Sequence, residues 1–282
     1  MKKADEIYLL NQINEAKKEY SESDDLSDLE LSFKDIDFQF KNPIQLIGSD
    51  LELYFFNCSF SGERIDFKIS ELSNKYNCIE FRGCKINCDI FIQESKFQRL
   101  VFTDVNITSQ SFHISSSEIG SLYMVGSPEN LNEIENLILN NNAKINYADI
   151  RLNNFKKLDI HRCDFQKEFT LNVNIIERLE ITKSNFKGGF DFWRSTLGDF
   201  SIIKNSSLGE VKAKQSNFGI ETEFRDVEFL ERVDFTELES KTTTLTFKNC
   251  TFQKSTYFDN STISQLGFES VIGEASQKLD LN

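Results

Sequence analysis

The chain has only two prolines, one tryptophan and two histidines among its 282 residues. Few backbone positions are therefore barred from donating hydrogen bonds, which suits a fold made largely of strand ladders. No apolar run approaches the ~20 residues of a membrane-spanning helix. The start, Met1-Lys2-Lys3-Ala4-Asp5-Glu6, lacks the apolar core of a secretory signal, so a cytoplasmic setting is expected. There is no glycine-rich phosphate loop, since Lys187-Gly188-Gly189 opens no helix. His113 and His161 are followed by neither a metal-ligand spacing nor a nucleophile motif. No catalytic residue, cofactor or metal is assigned on these grounds, and a non-catalytic protein is expected.

Charge is the first positive signal. The net charge is −13, which disfavours direct, nonspecific binding to nucleic acid through a basic surface. Residues 1–30 hold nine acids and four lysines. Residues 4–20 read as an amphipathic helix with Ile7, Leu10, Ile13 and Tyr20 near one face. Such a helix is expected to cap the N-terminal end of the repeat region, and residues 21–30 read as an acidic link.

The remainder, residues 31–282, repeats. From Leu158 the chain reads Leu158-x-Ile160, Cys163-x-Phe165, Phe169-x-Leu171 and Asn174-x-Ile176, then restarts at Leu179 after 21 residues. Residues two apart share one face of a strand, so each period supplies four inward pairs and four short sides of a coil. Starts fall near Leu31, Leu53, Ile79, Leu100, Leu122, Leu137, Leu158, Leu179, Phe200, Thr222, Leu245 and Leu266. The step from Leu122 to Leu137 is only 15 residues and suggests a cut corner or a kink near Val125–Asn130. Longer steps near Asn74–Asn77 and Glu237–Glu239 suggest surface insertions. The 27 phenylalanines bring bulk without polar atoms and suit a dry stacked interior. Cys58, Cys84, Cys163 and Cys250 share one slot with Ile36, Val105, Ser184 and Val227, which marks it as a slot for small buried residues. Another slot, at a corner, holds Ser95, Ser117, Asn132, Asn153, Asn174, Ser195, Ser216 and Ser261.

The repeated Ser/Asn/Cys-x-Phe/Leu/Ile unit, at near five-residue spacing over residues 31–273, resembles the pentapeptide-repeat proteins. The resemblance implies a right-handed, four-sided parallel β-helix. The chain departs from the family pattern in its ~21-residue coils and in the Leu or Phe that often opens a pair. It reads as a divergent member, bacterial in type.

Three functions are compatible with these readings. The first is a cytoplasmic protein-interaction or scaffold rod with an unidentified protein partner. Trp193 should point outward beside Arg194, and both are candidate partner-binding residues. Phe91 and Tyr257 are expected outward on the same side. The second, implied by the resemblance, is a DNA mimic that inhibits or protects a topoisomerase such as gyrase; the resemblance also implies a homodimer through the C-terminal coil. The third is a β-helix carbohydrate-active enzyme, which requires carboxylates clustered on one outer face.

Overall fold

The computed structural model describes residues 1–22, 29–42, 44–47, 51–68, 78–129, 131–273 and 279–280. It is an all-β parallel solenoid of about ten coils, with one helix among the described residues. Every strand pairing among the described residues is parallel, and each coil lays its strands on those of the next.

Four ladders run along the rod, here named sides A to D in chain order. Side A stacks Leu31, Leu53, Ile79, Leu100, Leu122 and Ala148 in register, and continues through Phe169, Phe190, Val211, Val233 and Thr256. Side C stacks Ile65, Ile90, Phe112, Leu137, Leu158, Leu179, Ser201, Thr222, Leu245 and Leu266. Side B carries Phe38, Phe60, Ile86 and Ile107 in the first half, then Asn132, Asn153 and Asn174. Side D carries Phe97, Ile119, Ile145, Phe165 and Phe186.

This register corrects the repeat reading in three places. Leu122 and Leu137 are not successive starts on one side. Leu122 pairs with Ala148 on side A, whereas Leu137 pairs with Phe112 on side C. There is no cut corner; the extra residues after Val125 lengthen the coil, and the repeat resumes two sides later. Five of the twelve counted starts therefore belong to side A and seven to side C. Cys58 and Cys84 lie on side B, and Cys163 and Cys250 on side D, in equivalent slots. At Phe200 a bulge shifts the register between Ile176 and Arg178. Ser201 and Ile203, not Phe200 and Ile202, point inward. The insertion expected at Glu237–Glu239 falls later, between Ser240 and Thr244. The one expected at Asn74–Asn77 lies outside the described residues.

The corners explain the two slots. Among the described residues, nineteen that are not glycine have left-handed backbone, including Asn57, Asp104, Arg162, Lys183, Arg194, Asn205 and Asn249. With the exception of Asn141, which precedes a second left-handed residue, each stands directly before a slot residue. A left-handed turn costs roughly 1 kcal/mol for a residue with a Cβ, less for Asn and Asp. Where the slot residue is polar, its side chain adds hydrogen bonds at the corner; where it is apolar, as at Val105 and Val227, it is buried in the core. Ser184 Oγ accepts the Cys163 N–H of the preceding coil at 3.1 Å and donates to Thr182 O at 3.0 Å. Its side chain faces the interior, so only a small residue fits.

The interior is filled by files of rings. Phe33, Phe55, Phe81 and Phe102 stack along side A with centroids 5.1, 4.9 and 5.0 Å apart. Each such contact contributes about 0.5–1.5 kcal/mol beyond area burial. The six cysteines are free and buried.

The N-terminal end is covered. Strand β1 (Lys2–Ala4) pairs with Ile36–Phe38 and occupies the first open edge. Helix α1 (Glu6–Glu22) comes next, capped by Asp5, whose Oδ1 accepts the Tyr8 N–H at 2.9 Å. Leu9 and Ile13 are buried against the first coils, with Tyr8 and Leu10 packed alongside. A helix is present where one is expected, but its buried face differs: Ile7 is 63% exposed. The Tyr20 side chain and residues 23–28 lie outside the described residues.

Candidate interaction face

Trp193 and Arg194 sit where side A turns into side B. Asp191 Oδ1 accepts the Trp193 backbone N–H at 3.0 Å and fixes the start of the turn. Arg194 takes the left-handed corner conformation, φ 54°. Its guanidinium lies 4.4 Å from the centre of the Trp193 ring. Both residues donate to one acceptor, Gln215 Oε1 in the next coil, at 3.3 Å from the indole and 3.0 Å from Arg194 Nε. Gln215 in turn donates to Glu237 Oε2 at 2.7 Å, and Lys214 pairs with the other oxygen of Glu237 at 2.9 Å. Lys214 and Gln215 hold the Glu237 carboxyl below the usual carboxylate range. The two predicted residues are therefore brought together, but Trp193 is half-buried and Arg194 is spent on its neighbours. They form one rigid, polar corner.

Phe91 and Tyr257 do not share a side. Phe91 projects from side C, in contact with His113 and beneath Arg64, 5.0 Å from its ring centre. Tyr257 projects from side A beneath Arg232. The opposition comes from the half-coil phase change after Val125, which the even period conceals.

Sequence reasoning missed a larger feature on the first half of side A. Outward positions of five adjacent strands form a grid, in which Cys78, Glu80, Val101 and Asp149 are nonetheless buried. One row reads Glu52, Cys78, Arg99, Ser121 and Tyr147; the middle row Tyr54, Glu80, Val101, Tyr123 and Asp149; the last Phe56, Arg82, Thr103, Val125 and Arg151. Three of the seven tyrosines stand here. Tyr123 and Tyr147 touch with centroids 5.6 Å apart, and Tyr54 lies over Phe56 at 6.3 Å. The grid holds three acids and three arginines, so it is neutral on a chain of net charge −13. Glu80 pairs with Arg82, and Asp149 with Arg151 at 2.7 Å.

The electrostatics are set by burial and by one tyrosine hydrogen bond. Tyr54 donates to Glu52 Oε2 at 2.7 Å, and this bond holds its hydroxyl proton well above the ordinary phenol range. Burial raises the Asp149 carboxyl, against the opposing pull of Arg151. Burial pushes the Cys78 thiol up to about 11. A signal for the grid existed in the sequence: alternation within Leu53-Tyr54-Phe55 and Leu122-Tyr123-Met124 places each tyrosine opposite two core residues.

Among the described residues, no group of three His, Cys, Asp or Glu side chains is placed to hold a metal ion, and no helix is long and apolar enough to cross a membrane. No family model, no curated protein and no solved structure matches the chain.

Proposed function

We propose that the chain is a non-catalytic cytoplasmic interaction or scaffold protein that binds a protein partner through side A. The observation that carries this reading is the neutral grid around Tyr54, Tyr123 and Tyr147. Tyrosine and arginine are enriched among interface anchors, and here they are held on strands rather than loops. A neutral face on an acidic rod is also where a partner meets least repulsion. Trp193 and Arg194 extend the same side toward its corner. The kinship proposed is with divergent pentapeptide-repeat rods.

The DNA-mimic reading is less well supported. A mimic requires an unbroken row of negative charge, whereas acids on side C stand beside cations. Glu180 lies within 3.7–3.9 Å of Lys157, Arg178 and Lys204, and Asp159 pairs with Lys157 at 2.7 Å. Self-association through the C-terminal coil has one observation in its favour: Phe268 and Ile272 are 40% and 67% exposed.

The test is retention from a lysate of the source organism on immobilised protein. The parent is compared with a Tyr123→Glu, Tyr147→Glu variant and a Trp193→Asp, Arg194→Glu variant. A defined protein retained by the parent and lost in the tyrosine variant is expected. Equal retention by the parent and the tyrosine variant would move the site elsewhere, and retention of nothing by the parent would end the scaffold reading.

A further inference from the structure

Cys58 and Cys84 stand opposite each other on successive coils. Their neighbours pair in register, Phe56 with Arg82 and Ser59 with Lys85, and the Lys85 N–H donates to Cys58 O at 2.9 Å. Register partners lie ~4.8 Å apart, within the roughly 4.4–6.8 Å between Cα atoms that a disulfide spans. The thiols also take one orientation, a rung apart. Cys58 Sγ lies 3.6 and 3.5 Å from Phe33 O and Phe56 O; Cys84 Sγ lies 3.3 and 3.5 Å from Phe55 O and Arg82 O, the register equivalents of those groups. Rotation about one Cα–Cβ bond turns one sulfur toward the other. Cys163 and Cys250 fill equivalent slots without such a partner: Cys163 lies between Ala143 and Ser184, and Cys250 lies opposite Val227.

The pair is chemically unequal. A hydrogen bond between the two thiols holds Cys58 below its ordinary range and, together with burial, Cys84 above it. Cys58 is therefore the readier nucleophile. Both side chains are buried, so only a small oxidant has access, and the corner outside them is thin. Gly83, exposed and left-handed at φ 63°, stands directly before Cys84 where most corners carry a side chain. A Cβ there would meet Asn57 Oδ1 at 2.5 Å, so the bare corner is built in.

We infer that Cys58 and Cys84 form a peroxide-sensitive dithiol, oxidised to a disulfide that fastens two successive coils. The oxidant is a hydroperoxide, hydrogen peroxide being the smallest. Cys58 sulfur attacks one peroxide oxygen, the O–O bond breaks, and the leaving hydroxide takes the Cys58 proton as water. The sulfenic acid so formed is attacked by Cys84 sulfur. The Sγ–Sγ bond forms, the S–O bond breaks, and the hydroxyl leaves as a second water with the Cys84 proton. Two thiols are oxidised by two electrons and one peroxide is reduced to two waters.

The experiment treats the folded full chain with hydrogen peroxide, removes the excess, unfolds it in iodoacetamide and maps the peptides by mass spectrometry. A linked Cys58–Cys84 peptide pair, 2 Da lighter than the sum of its reduced parts, is expected, with the other four cysteines alkylated. The melting temperature should rise by about 5 °C, because the bond closes the loop from residue 58 to 84 in the unfolded chain, and dithiothreitol should reverse both changes. Serine fills the equivalent slot at Ser184, so Cys84→Ser should fold; with no second thiol it should stop at the Cys58 sulfenic acid and take up dimedone. Alkylation of both Cys58 and Cys84 after peroxide, a link between any other pair, or no dimedone adduct on Cys58 in the folded variant would each overturn the assignment. A negative result leaves the side A reading untouched, because the grid and the pair share no residue.

Discussion

The side-chain amide of Asn132 donates to Asn153 Oδ1 at 2.7 Å, inside the rod and one coil away. The contact belongs to a file. Asn132 Oδ1 accepts the Ile107 N–H at 3.0 Å, Asn153 Nδ2 reaches Asn174 Oδ1 at 3.2 Å, and the Asn174 N–H donates to Ser195 Oγ at 3.1 Å. Asn153 also donates to Met124 O and Arg151 O at 3.1 and 2.7 Å. All three asparagines are buried. Asn153→Ala should therefore destabilise by about 2–4 kcal/mol, more than a mean hydrogen bond, because its neighbours are left unpaired. Urea unfolding measures this. A double substitution with Asn174→Ala should cost less than the sum of the singles; strict additivity would show that the file is not coupled.

Two glycines stacked at one corner make a steric prediction. A Cβ on Gly219 would overlap Gly198 O, which is backbone and has no freedom to withdraw. On Gly267 it would meet nothing closer than the Thr246 side chain at 3.6 Å. Gly219→Ala should destabilise by roughly 2 kcal/mol or more, while Gly267→Ala should be neutral or slightly stabilising. Similar melting temperatures for the two variants would contradict the close approach.

Thr222 and its register partner Ser201 face the interior on side C, fully buried, with hydroxyls that have no hydrogen-bond partner among the described residues. Thr222→Val keeps the branched shape and removes the unpaired group. It should raise stability by about 1 kcal/mol, seen as a higher urea midpoint at unchanged slope. A lower midpoint would mean the hydroxyl is satisfied in solution.

Asp149 supplies a pH dependence with a definite sign. Burial raises its folded-state value above that of the unfolded chain, although Arg151 opposes the shift. Its favourable contribution is thus present below the unfolded value and is lost as pH rises through the folded one. Asp149→Asn should gain stability relative to the parent on going from about pH 3 to pH 7. A difference that shrinks with rising pH would show that Arg151, not burial, dominates.

The thiols of Cys78 and Cys250 are pushed up to about 11, and those of Cys88 and Cys163 to about 12, all chiefly by burial. At about pH 8 they are protonated and shielded, so iodoacetamide should label them only as fast as the protein opens. Mass spectrometry of partly labelled protein checks this, and rapid labelling of any of these four in native conditions would refute its burial.

Much of this was legible in the sequence. Four inward pairs per coil, the small slots and the terminal helix follow from spacing two and from residue size. The phase change after Val125 was not, because a long coil joining side A to side C leaves the same gap between Leu122 and Leu137 as a short one. The bulge before Ser201 was hidden by Phe200 and Ile202, which satisfy the same alternation one residue earlier. The grid needed both register and phase: its tyrosines are far apart in the chain and meet only once five strands are aligned. The one-residue bulge between Ile107 and Phe112 is a local shift against the preceding coil only, and nothing in the residue types of Thr108–Gln110 announces it.

Because each coil touches only its two neighbours, the rod is divisible. Duplication of residues 158–178, one whole turn, should lengthen it by a single rung of ~4.8 Å without altering either end. The tyrosine grid would keep its own spacing, while the Trp193 corner moved away from it by that one step. Length in this protein is a quantised variable, and the distance between its surfaces can be reset one turn at a time.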